Sequence, residues 1–162
     1  MSQQCMHLEE PVADTGAFPA ISCKQPYAFA IEHGFCNGFN KNYGVDYRGP
    51  VVLQVGKQWD TSVYYTEGYL DGMRGRWVSW GMGRLFVPVA LARGMLVGVA
   101  DLVDVVPPGN ESTPHHLCHC HWWVVSNFRP FRRPRPFRGQ RGVFDVPADY
   151  VQEVTDLWPT SQ

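Results

Sequence analysis

The run Met95-Leu96-Val97-Gly98-Val99-Ala100-Asp101-Leu102-Val103-Asp104-Val105-Val106 sets the strongest limit on how this chain can fold. It alternates and then runs apolar, the pattern of a strand buried on much of both faces. Asp101 and Asp104 interrupt it, so no apolar stretch reaches the 18 residues of a membrane span, and none is expected. Pro107-Pro108-Gly109 ends the strand. Such a strand needs neighbours on either side and cover above and below. Candidate partners are Ala20–Cys23, Pro50–Val55 between Gly49 and Gly56, His121–Phe128 and Gly142–Val146. On 121–128, Trp122, Val124, Ser126 and Phe128 would share one side, and Trp123, Val125 and Asn127 the other.

Helical signals are few. Pro26 can open a helix carrying Tyr27, Phe29, Ala30 and Ile31, with Gly34 as its stop. Ala148–Trp158 spaces Val151, Val154, Leu157 and Trp158 as a helix does, between Pro147 and Pro159. Residues 36–44 read as a turn with a short extended piece, 60–83 as an irregular aromatic excursion, and 107–116 as a loop. Strands and helices do not alternate, so parallel βαβ winding is not expected. The prediction is an α+β fold, a small curled or barrel-like sheet of mixed and antiparallel strands with flanking helices.

At 162 residues the chain predicts one domain, 19–158, behind a flexible N-terminal tail over 1–18 broken by Pro11 and Gly16. That tail is polar and acidic, unlike a signal peptide. Five cysteines without regular spacing favour reduced thiols and a cytoplasmic location over a disulfide framework.

The net charge of −1 hides an asymmetry. Arg129, Arg132, Arg133, Arg135, Arg138 and Arg141 fall in a stretch without a single acid, which leaves 8 bases against 15 acids elsewhere. Pro130, Pro134 and Pro136 forbid a helix there, so the guanidinium groups spread along an extended ribbon. Such a ribbon can follow a phosphate backbone while Phe131 and Phe137 offer stacking faces to unpaired bases. The plainer alternative is a connection whose arginines meet the surplus acids.

Five further pieces carry a resemblance: Ile21-Ser22-Cys23-Lys24-Gln25-Pro26-Tyr27-Ala28, then Gly34, then Tyr47-Arg48-Gly49-Pro50, then Gly94–Asp104, then His121-Trp122 through Phe128-Arg129-Pro130 with Pro136 and Gly139–Phe144. In this order, over about 19–147, they resemble the ASCH domain, the activating signal cointegrator homology region. The resemblance implies a PUA-like pseudo-barrel with a cleft for RNA or a modified nucleoside. Lys24, Gln25, Tyr27, Lys41, Tyr47, Arg48 and Lys57 would converge there, supplying amide edges, aromatic planes and cations. Some members of the family hydrolyse N4-acetylcytidine with a Lys and a Thr after the helix-ending Gly. Aligned on Gly34, those positions hold Cys36 and Phe39, and only Lys41 keeps a charge. A binding role for single-stranded RNA or a modified nucleoside is therefore expected ahead of catalysis. The alternatives are an RNA hydrolase or modified-base amidohydrolase on the same scaffold, and a module for an acidic protein partner.

His115–His121 offers thiolates and imidazoles within seven residues, but zinc sites draw pairs from two places, and a second pair is missing unless Cys23 or Cys36 approaches. In an extended chain Cys118 and Cys120 would face away from His119 and His121. No metal and no cofactor is expected. His119, His121 and Ser126 are the only candidates for acid, base or nucleophile, and no nucleophile-elbow motif surrounds Ser126. Trp77 and Trp80 could close over a ligand. Gly81-Met82-Gly83 lacks the flanking pattern of a phosphate loop.

Overall fold

The computed structural model describes residues 16–34, 36–60, 92–111, 113 and 116–151. They form β1 (Ala17–Gln25), α1 (Tyr27–Glu32), β2 (Gly38–Lys41), β3 (Gly49–Trp59), β4 (Met95–Val106), β5 (His121–Pro136), β6 (Phe144–Pro147) and α2 (Ala148–Val151). One mixed sheet holds all six strands in the order β2-β5-β4-β3-β1-β6, an α+β arrangement. The pair β1 and β3 is parallel, with Ala20 beside Val52 and Cys23 beside Val55; the other ladders are antiparallel. None of the helices among the described residues is long and apolar enough to cross a membrane.

The central strands bury both faces. Ile21, Cys23, Val51, Leu53 and Val55 turn towards α1, where Tyr27, Phe29, Ala30 and Ile31 close a core shared with Phe39, Trp122 and Trp123. The alternate residues Ala20, Val52, Leu96 and Val99 meet Phe131, Phe144, Val146 and Val151 on the opposite face. Period-2 alternation sends successive side chains to opposite layers, so strands covered twice are apolar almost throughout.

Several limits differ from the expected ones. β1 begins at Ala17, inside the stretch read as tail, because Ala17 to Ala20 pair with Pro147 to Phe144. Residues 1–15 and most of the aromatic excursion, Trp77 and Trp80 included, lie outside the described residues, as does the part beyond Val151 of the helix expected to reach Trp158. Gly34, at φ 75, stops α1 as expected.

β5 is twice as long as anticipated and runs through the prolines. β2 pairs only with residues 121–124 of β5, so further along the described sheet has nothing to accept N–H groups from its outer edge. That is where Pro130, Pro134 and Pro136 fall. Against β4 the strand bulges repeatedly. Leu96 pairs with Arg135 and Gly98 with Pro130, which leaves Phe131–Pro134 opposite Val97 alone. Asn127, with a left-handed φ of 58, lies in a second irregularity, between Ser126 and Arg129. A third, beside Val124, leaves Val103 exposed. The irregularity at Asn127 and Phe128 breaks the alternation expected over 121–128; Trp122 and Trp123 stay in unbroken register with Val106 and Val105, yet both are buried in one core.

Leu53 has no exposed surface and sits where α1 meets the sheet. Leu53→Ala is expected to cost about 2–5 kcal/mol. Urea unfolding should show a lower midpoint with an unchanged slope.

Candidate functional site

Ser22 on β1 and Gln54 on β3 are register partners in the parallel ladder. The Ser22 hydroxyl donates to Gln54 Oε1 at 2.7 Å, and Gln54 Nε2 donates to the Phe137 carbonyl at 2.7 Å. Gln54 is 1% exposed, so this amide belongs to the interior. Phe137 N–H donates to the Gly94 carbonyl at 3.1 Å, which holds the chain after β5 on a second point. Gly139 then passes so close over Gln54 and Ser22 that a Cβ there would press into the amide and stand 2.9 Å from Ser22 Oγ. Further on, Gly142 N–H donates to the Tyr43 hydroxyl at 2.8 Å, and the Arg141 guanidinium lies 3.7 Å from the centre of the Tyr43 ring. Two glycines and one buried glutamine thus fix the segment carrying Arg138 and Arg141 above the sheet.

Beneath that segment two cavities adjoin, one of about 340 Å³ and one of about 1160 Å³, and Lys24 and Lys41 line both. The smaller is walled by Tyr27, Phe39, Asn40, Tyr43 and Asp60, with Leu117, His119 and Cys120 at its side. Lys57, Arg138 and Arg141 complete the larger, and among the described residues no aspartate or glutamate lines it. Lys41 is half-buried at the end of edge strand β2, its Nζ 5.9, 5.9 and 6.0 Å from the ring centres of Phe39, Tyr43 and Trp123. Burial lowers the Lys41 pKa from 10.5; Cys23 opposes that, and Lys24 and Arg141 reinforce it. Burial likewise pushes the Cys23 thiol up to about 12, leaving it protonated and unreactive. Asn40 stiffens this wall: its Nδ2 donates to the Tyr27 hydroxyl at 3.1 Å, and its Oδ1 accepts from Leu117 N–H at 3.0 Å.

The structure gathers some of the residues named from sequence and disperses others. Lys24, Tyr27, Lys41, Lys57, Arg138 and Arg141 line the cleft. Gln25 does not: it is 4% exposed, its Oε1 accepts from Phe29 N–H at 3.0 Å, as a helix cap would, and its Nε2 donates to the Ala92 carbonyl. Tyr47 donates to the Pro50 carbonyl at 2.8 Å, and Arg48 donates to the carbonyls of Val45 and Tyr47 at 2.9 Å, with Asp104 at 3.7 Å. These two shape the entry to β3. Burial, helped by Asp101, raises the Tyr47 pKa.

The six arginines are not one ribbon. Arg129 pairs with Val99 inside the sheet, and Arg132 and Arg133 project from the Phe131–Pro134 bulge. Arg135 donates to the Asp149 carbonyl at 2.9 Å and lies 4.5 Å from the Tyr150 ring centre, tying α2 to the sheet. Gln54, Gly139 and Tyr43 were missed because their signals are single residues whose meaning depends on register between distant strands.

The catalytic candidates do not assemble. Ser126 lines a separate cavity of about 480 Å³ with Cys36 and Asn127. Five strand positions, roughly 15 Å, separate it from His121. Residues 117–120 form a turn rather than an extended entry, so Cys118 is exposed while Cys120 is buried and His119 alone of the described histidines reaches the cleft. His121 pairs with Lys41 across the β2–β5 ladder. Among the described residues no three His, Cys, Asp or Glu side chains come together as a metal site would require; His115 lies outside them.

No protein-family model matches the sequence, and no curated protein matches it.

Gln54→Met should leave the Phe137 carbonyl and the Ser22 hydroxyl without their partner, at a cost of about 1–3 kcal/mol in urea unfolding. For Lys41 the folded-state pKa lies below the unfolded value of 10.5, so between the two the unfolded chain holds the extra proton and stability rises with pH. Lys41→Met should therefore stabilise the fold near neutrality and lose that advantage as the pH approaches 10.5, in unfolding curves measured across the alkaline range.

Proposed function

We propose that this chain is a PUA-like binding module of the ASCH type, acting in the cytoplasm, that holds single-stranded RNA or a modified nucleoside in the cleft between β1, β2 and the segment after β5. The observation that carries this reading is the shared wall of Lys24 and Lys41 between two unlike cavities. The smaller offers the half-buried Tyr43 ring and the exposed Asn42 amide above a floor of Tyr27 and Phe39, which suits a base. The larger offers cations without acids, which suits the phosphate attached to that base. Arg132 and Arg133, exposed on the β5 bulge, line neither cavity and stand outside this reading. The separation of Ser126 from the histidines favours binding over hydrolysis.

The test is a titration of labelled single-stranded RNA at 50 and 200 mM salt, with the same samples run on a denaturing gel. Salt-sensitive binding of intact RNA is expected, and Arg138→Ala with Arg141→Ala should reduce the log–log salt slope by about 0.7 for each phosphate no longer neutralised. Absence of binding at both salts, with no competition by nucleosides, would turn the reading towards an acidic protein partner. Cleaved RNA would turn it towards a hydrolase.

A further inference from the structure

The larger cavity carries more positive charge than an ordinary nucleotide unit requires. Lys24, Lys41, Lys57, Arg138 and Arg141 come from four separate parts of the chain: β1, β2, β3 and the segment after β5. Among the described residues none of the five forms an ion pair, although acids outnumber bases through the rest of the sequence. Like charges gathered with only Asp60, in the wall of the smaller cavity, to oppose them among the described residues repel one another and cost stability. Lys41 and Arg141 both rest against Tyr43, and the charge of Arg141 makes that of Lys41 harder to hold. The backbone that creates this crowding is built in, since Gly139 and the Ser22–Gln54 pair hold the arginine segment down on the lysines.

An interior RNA residue brings one negative charge per nucleotide, spread along the chain. Linked phosphates bring several within a few ångströms, each with oxygens for charge-assisted hydrogen bonds. We propose that the cavity of about 1160 Å³ is a site for two or more linked phosphates on one nucleoside, a 5′-di- or triphosphate, with the base directed into the smaller cavity. The chemistry is the same whether the group belongs to a free nucleotide or to the 5′ end of an RNA. This inference rests on the nucleoside-binding reading for the direction of the base, and on the cation cluster alone for the phosphates. Lys57 and Arg138 line only the phosphate side, while Asn40 and Tyr43 line only the base side.

The experiment is calorimetric titration of the intact chain in EDTA at fixed ionic strength with cytidine, CMP, CDP, CTP and inorganic tripolyphosphate. Binding is expected to tighten by about fivefold or more with each phosphate beyond the first, and tripolyphosphate alone should displace CTP. Lys57→Met with Arg138→Met should flatten the CMP-to-CTP series while leaving cytidine unchanged. Equal affinities for CMP and CTP, or failure of tripolyphosphate to compete, would overturn the phosphate site even if cytidine binds. Conversely, tripolyphosphate binding as tightly as CTP, with no effect of Asn40→Ala, would sustain the phosphate site and remove the base-binding reading. Short RNAs ending in a 5′-triphosphate or a 5′-hydroxyl tell the two sources apart. A large advantage of the triphosphate end over free CTP assigns the site to RNA termini, and equal affinity assigns it to free nucleotides.

Discussion

A single buried amide organises the working face of this protein. Gln54 is almost wholly buried, so its donor and acceptor are best met by the protein, and they are met by two pieces of chain that share no local sequence relation. One is the neighbouring strand through Ser22; the other is the carbonyl of Phe137. Because an unpaired amide in the interior is costly, the hydrogen bonds dictate where the polypeptide after β5 can lie. Gly139 completes the constraint by omitting the atom that would hold the segment away. The convergence of charge follows, since main chain and amide bring Arg138 and Arg141 to Lys24, Lys41 and Lys57, with Arg141 also resting on Tyr43.

The distribution of charge has the same logic. The described arginines of 129–141 separate into distinct tasks. Arg135 fastens the short helix α2, Arg141 stacks on Tyr43, and Arg132 and Arg133 stand on a bulge that prolines keep out of the ladder. A dense basic stretch in a sequence is therefore not one surface. Which guanidinium faces which way is decided by bulges, and those depend on the partner strand.

Much of the architecture was legible in the sequence. The Met95–Val106 run, the Val51–Val55 run and the Pro26-to-Gly34 helix lie where expected, because their signals are local: β-branched runs, a proline at a helix start, a glycine at its end. The limits of β1 and β5 were not legible. Ala17 and Phe18 are strand residues only because β6, more than a hundred residues later, pairs with them. The prolines of β5 are compatible with a strand only because its outer edge lacks a neighbour along the described sheet. The cleft was half legible. Lysines and tyrosines were candidates by chemical type, whereas Gln25 and Tyr47 share that chemistry and are spent on holding backbone. Nothing in a one-dimensional reading separates a polar group facing a cavity from one facing a carbonyl.

The placement of β1 between β3 and β6 has a consequence for how the protein is made. A ribosome releases Lys24, Lys41 and Lys57 before the arginines laid over them, and the strand that seals β1 on its other side follows later still. Until then the nascent chain carries an open edge and an unfinished basin. The cluster of cations is therefore completed only as the sheet closes, and a product cut before Arg138 would lack both the sealing strand and the arginines.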